Sequence, residues 1–251
     1  MHRTLFIDID GTLITEPTAD QRGDTLREHA LLAYMRDFAV HRHGISAVHA
    51  TTVIDNLFDT RTWWDWHDYL TRLELHAPTF WDYADRRAAA TLQPLEANLD
   101  LKLERLSLAG CRLCITSNNP TSGIRHKLRL AGLSRAWQKR HIDRIFGTDV
   151  LRAMKWDRTF WEQAVELADT PVSGITVVGN DWNDDVLSPI TAGLSHFVML
   201  DGIGPHHSSA PADAEVVHAA DWSAAVQSLI EPTREAETPP CDILETGELR
   251  R

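Results

Sequence analysis

The chain is 251 residues long with a formal net charge of −11, a balance that argues against nucleic acid or an anionic membrane surface as its main partner. A small anionic substrate stays possible, because a bound cation and a few local basic residues can reverse the field within one pocket. Hydrophobic content of 43% beside 24% charged residues is that of a globular protein with a full core, in one large domain or a core carrying a smaller insertion.

The first element is an apolar run, Leu5–Ile7, that leads into Asp8, Asp10 and Gly11. A buried strand here puts Asp8 at its carboxyl end, and alternation aims Asp8 and Asp10 at the same opening. Two clustered carboxylates raise each other's pKa unless a cation lies between them, and a hard cation with oxygen ligands, Mg²⁺ above all, is the economical solution. The plainer account of the same residues is an Asp-Gly turn after a strand.

From Thr15 to about Leu95 no comparable strand follows. Asp24–His43 is expected to be one helix, with Asp24 at its N-cap and Gly44 just past its end. Helical patterns recur over Ile54–Leu57, Trp63–Leu73 and Phe80–Thr91. The cluster Trp63, Trp64, Trp66 and Trp81 either lines a pocket or forms the core of this insertion, the second being expected for at least two of them. His41, His43 and His67 are expected on helix surfaces.

Four further strands are expected at 111–117, 143–147, 174–179 and 196–200, separated by helices over Leu99–Leu108, Gly123–Ala131, Arg158–Ala168 and Val186–Ala192. Gly110, Gly132 and Gly193 stand where helix ends belong. The alternation predicts an α/β fold: a Rossmann-like parallel sheet with helices on both faces and an inserted helical domain. The expected division is a core of residues 1–14 and 96–230, an insertion over 15–95 and a polar, proline-bearing disordered tail over 231–251. Three cysteines make no disulfide framework, and Cys111 and Cys114 lie on a strand with opposite facings, so two structural thiols are expected. Acidic residues stand where a secretory signal would carry its apolar segment, and no apolar run reaches bilayer length. A cytoplasmic protein without membrane or nucleic-acid partners is expected.

In such sheets functional residues gather at the carboxyl ends of strands. Ser117 and Asn118 end one strand and are small donors suited to a phosphate oxygen. Lys155 precedes a helix, and it is one of only four lysines beside twenty-one arginines. The segment Gly179-Asn180-Asp181 with Asp184 and Asp185 crowds acids at another strand end, more than a helix N-terminus alone would call for.

Together these pieces resemble the haloacid dehalogenase-like (HAD) superfamily, chiefly its phosphatase branch. Asp8-Ile9-Asp10-Gly11-Thr12 matches the first signature, Ser117 the second and Lys155 the third, with Trp156 in place of the usual proline. Gly179-Asn180-Asp181 with Asp185 corresponds to the fourth, where glycine-aspartate is usual; the four-residue spacing selects Asp181 over Asn180 as the metal ligand. The resemblance implies Mg²⁺-dependent hydrolysis of a small phosphorylated metabolite. In it Asp8 is the nucleophile, Asp10 the acid/base, and Ser117, Asn118 and Lys155 bind the phosphoryl group. Mg²⁺ is held by Asp8, the Asp10 carbonyl and Asp181, with Asn180 and Asp185 behind it. The insertion resembles the helical C1-type cap. A phosphonatase would need a lysine on that cap, and 15–95 contains none. A dehalogenase has no need of Asp10. A phosphomutase and a non-catalytic ligand-binding relative are the remaining alternatives.

Overall fold

The computed structural model describes residues 3–15, 30–60, 63–200 and 211–230. The calls on Asp24 as an N-cap, on the 231–251 tail and on the third cysteine lie outside these residues.

The sheet is built from β1 (Thr4–Ile7), β4 (Arg112–Thr116), β5 (Ile142–Phe146), β6 (Ile175–Gly179), β7 (His196–Leu200) and β8 (Glu215–Ala219). They run parallel in the order β5-β4-β1-β6-β7-β8. Alternation along β1 divides its side chains between two apolar layers. Leu5 and Ile7 join Leu113, Ile115 and Val178 under α5 (Leu99–Leu108), α6 (Thr121–Leu130) and α11 (Trp222–Ile230). Phe6 packs on the opposite face with Cys114, Phe146 and Val177 under α9 (Arg158–Ala168). Cys114 is buried in that second layer and Cys111 packs at the edge of the first, both as free thiols. The doubly covered α/β sheet expected from sequence is therefore the fold.

The remaining core helices are α7 (Arg135–His141), the single turn α8 (Thr148–Leu151), and a run that is π-wound over Asn183–Leu187 before closing in α10 (Ser188–Ile190). Sequence patterns predict neither β8 nor α7, α8 and α11. β8 is an edge strand of mostly half-exposed residues, so it lacks the continuous apolar run of the central strands.

The chain leaves the sheet through β2 (Ile14–Thr15) and returns through β3 (Gln93–Pro94), two short antiparallel strands paired side by side. Between them lie α1 (Ala30–His43), α2 (Ala47–Thr60), α3 (Trp66–Arg72) and α4 (Ala77–Thr91). These helices share an apolar cluster of their own, with Met35, Phe38, Tyr69 and Phe80 at its centre. Trp64 and Trp66 are buried in it, and Trp63 and Trp81 pack partly buried against it. His41, His43 and His67 are exposed. Among the described residues no helix is long and apolar enough to cross a membrane.

Candidate active site

β1 lies between β4 and β6, so the residues that leave these three strands at their carboxyl ends meet above the sheet centre. Asp8 is the first residue beyond β1 and is 7% exposed. Its main-chain N–H donates to Val178 O at 2.9 Å, which continues the β6 ladder one residue further. The chain then turns at Gly11, whose φ of 80° suits glycine. A Cβ on Gly11 would also stand 2.3 Å from the Asn180 side chain, so glycine is needed for space as well as for conformation. Trp222 Nε1 donates to Thr12 O at 2.7 Å and pins the turn from α11.

One cation stands among the carboxylates. Lys155, 2% exposed, donates from Nζ to Asp8 Oδ1 at 2.7 Å and to Asp185 Oδ1. Asp185, 1% exposed, also accepts on Oδ2 from Asn180 N at 3.1 Å and Asp181 N at 3.0 Å. Gly179 makes that possible, since a Cβ there would lie 2.2 Å from the Asp185 carboxyl carbon. Met154 and Trp156 hold the lysine loop against the helices of the insertion. Met154 is buried in their apolar cluster, and Trp156 meets Trp64 edge-on at 5.5 Å.

The electrostatics are unbalanced. Burial is the main influence on Asp8 and, with the neighbouring charges of Asp185 and Asp10, pushes its carboxyl up to about 7 in spite of Lys155. Burial together with Asp181 and Asp8 lifts Asp184 to about 6. Burial alone would lower Lys155, but Asp185, Asp8 and Asp184 outweigh it and hold the ammonium well above the ordinary lysine value. Three carboxylates thus crowd one ammonium, the condition that a further cation relieves. Among the described residues no three His, Cys, Asp or Glu side chains form a metal cage. The oxygens on offer are those of the Asp8 carboxylate and the Asn180 side-chain amide, both reached by the Thr12 hydroxyl, and hard oxygen donors of this kind fit a hard cation such as Mg²⁺.

Hydrogen bonds within the chain engage Asp181, Asn180 and Asn118. Asp181 Oδ1 accepts from Asn183 N and Asp184 N, each at 2.8 Å, so this carboxylate caps the helical run that follows. Asn180 faces the site. Thr12 Oγ1 donates to Asp8 Oδ2 at 3.0 Å and to Asn180 Oδ1 at 3.1 Å, one proton shared between two acceptors. The Asn118 amide joins two elements of the site: Oδ1 accepts from Lys155 N at 2.7 Å and Nδ2 donates to Asp184 Oδ2 at 2.9 Å.

Ser117 is buried at the end of β4, where its Oγ accepts from Asn119 N at 3.2 Å and Asn119 Nδ2 at 3.0 Å. Asp10 stands at the mouth with 44% of its side chain exposed. Lys127 Nζ donates to its Oδ1 at 2.6 Å and Asn119 Nδ2 to its Oδ2 at 2.8 Å. Sequence reasoning missed Asn119, Lys127 and the placement of Asp184. Only the scarcity of lysine pointed to Lys127.

No protein-family model matches the chain, and no curated protein matches its sequence. Solved structures do. A HAD phosphatase from Thermococcus onnurineus superposes with a TM-score of 0.58 at 21% identity, over 89% of this chain and 95% of that one. The chain has the haloacid dehalogenase-like fold. The magnesium-bound HAD-hydrolase YfnB from Bacillus subtilis shares this fold at a TM-score of 0.53 and 15% identity, over 92% of this chain and 99% of its own. The L-2-haloacid dehalogenase PA0810 does so at a TM-score of 0.57 and 17% identity, over 91% and 100%. The HAD-like fold is thus common to proteins named for different reactions, and the reaction has to be argued from side chains.

Proposed function

We propose that the chain hydrolyses a small phosphomonoester through an aspartyl phosphate formed on Asp8, with Mg²⁺ as its cofactor. The observation that carries this reading is Asp10, a carboxylate at the mouth of the site two residues beyond buried Asp8. Phosphoryl transfer from an alcohol leaving group to a carboxylate needs such an acid, whereas halide displacement has no oxygen to protonate.

In the first step an Asp8 oxygen attacks phosphorus, the bond to the leaving oxygen breaks, and Asp10 delivers the proton that oxygen needs. In the second, Asp10 takes a proton from water, the water oxygen attacks phosphorus, and inorganic phosphate leaves with Asp8 restored. Lys155 carries three N–H donors; two engage Asp8 and Asp185, and the third suits a phosphoryl oxygen. Ser117 Oγ is the second candidate donor to the transferring group. Mg²⁺, held by Asp8, the Asp10 carbonyl and the Asn180 side-chain oxygen, would supply positive charge that favours ionised Asp8 and offsets its repulsion from phosphate.

The insertion over 15–95 acts in this reading as a lid on the core formed by 1–14 and 96–230. Trp64 against Trp156 supports it, because that contact lands beside Lys155. A lid of this kind favours small substrates and limits water at the aspartyl phosphate. The test is a panel of phosphorylated metabolites with Mg²⁺, scored for free phosphate per substrate consumed, on wild type and Asp8→Asn. Phosphate should appear stoichiometrically and vanish with the substitution. Robust activity in Asp8→Asn defeats the covalent mechanism, and an isomeric sugar phosphate without free phosphate makes the protein a mutase.

A further inference from the structure

Lys127 lies on α6, the helix that follows Ser117, and belongs to none of the signatures, yet it ends on the proposed acid/base. Its side chain is only 12% exposed, while that of Asp10 is 44% exposed, so the ammonium is largely withdrawn from water and its partner opens to the solvent. Its Nζ reaches Asp10 Oδ1 at 2.6 Å and Asn119 Oδ1 at 3.3 Å. Asn119 is itself buried and joins Asp10 Oδ2 to Ser117 Oγ through one amide nitrogen. The final torsion of an aspartate is soft and broad, so the plane of its carboxylate is set by partners rather than by rotamer preference. Here one donor grips each oxygen. On the same helix His126 Nδ1 lies 3.2 Å from Asp85 Oδ2 of α4.

We propose that Lys127 is a positioning residue for Asp10, orienting its carboxyl group toward the leaving oxygen. This rests on the reading of Asp10 as the acid that protonates that oxygen. Misorienting an acid costs most where the leaving group needs the proton most. Phenolate leaves poorly without protonation and p-nitrophenolate leaves readily, so the two aryl esters separate positioning from general damage to the fold or the phosphate site.

The experiment measures kcat on phenyl phosphate and p-nitrophenyl phosphate with Mg²⁺ for wild type, Lys127→Met, Lys127→Arg and Asp10→Asn. Full acid catalysis is worth about 10²–10⁴-fold, so loss of orientation alone should lower the phenyl to p-nitrophenyl ratio about ten-fold in Lys127→Met. Lys127→Arg should restore most of the ratio, because a guanidinium can donate to the same oxygen. An equal fall on both esters, or no fall, overturns the assignment. If Asp10→Asn shifts the ratio and Lys127→Met does not, only the role of Lys127 fails. If Asp10→Asn leaves the ratio unmoved, or the wild type turns over neither ester, the underlying reading of the site fails and takes the assignment with it.

Discussion

Replacing Asp8 by Asn should make the metal-free protein more stable at pH 8 and stabilise it only about a third as much at pH 5, where the window from 3.8 to about 7 has been crossed only in part. The folded protein holds the Asp8 carboxyl at about 7, against 3.8 for an ordinary aspartate, with burial as the largest cause. Between those values the folded state keeps a proton that the unfolded state has released, so stability falls as pH rises through the window. A shift of about three pH units corresponds to about 4 kcal/mol. Asp184 and Asp185 share Lys155 with Asp8 and titrate with it, so removing one carboxylate is expected to recover about half of that, about 2 kcal/mol. For a chain of this size that raises Tm by about 4–8 °C. Urea melts of both proteins in EDTA at pH 5 and pH 8 provide the measurement, and Mg²⁺ at pH 8 should then stabilise wild type more than the variant. A variant less stable than wild type at pH 8, or a difference of equal size at both pH values, refutes the charge-crowding argument.

Asn180→Ala should raise the Mg²⁺ concentration needed for half-maximal turnover more than Asp181→Ala, which should instead cost about 1 kcal/mol through a lost helix cap; the reverse order in a metal titration returns the ligand role to Asp181. Gly179→Ala should lower stability by about 1–3 kcal/mol in urea, because its Cβ drives Asp185 off the Asn180 and Asp181 amides. Trp64→Leu should alter the ranking of phosphate esters, since Trp64 meets Trp156 beside Lys155, whereas Trp66→Leu should change stability and leave the ranking alone. Identical rankings in both variants and wild type would make these tryptophans packing residues only.

The central strands and the helix ends could be read along the chain because their causes are local. Leu5–Ile7 and Ile175–Gly179 are buried on both faces and need continuous apolar runs. Gly110, Gly132 and Gly193 adopt positive φ at helix ends, a conformation that selects glycine. Asp8, Asp10 and Ser117 could be placed at strand ends, and Lys155 before a helix, for the same reason, since each lies close to a patterned segment. Whether a given side chain then faces the site was not local. The interval from Asp181 to Asp185 fits a pair of ligands and a helix cap equally well. Only the folded turn shows Asp181 satisfying the N–H groups of Asn183 and Asp184, and Asp185 reaching back to Lys155. Lys127 carries no pattern of its own, and its bond to Asp10 spans 117 positions of sequence. Strand and helix come from the spacing of residues, which the sequence holds in full. The site comes from distant side chains competing for the same few buried donors and acceptors, and that competition is decided only when the chain has packed.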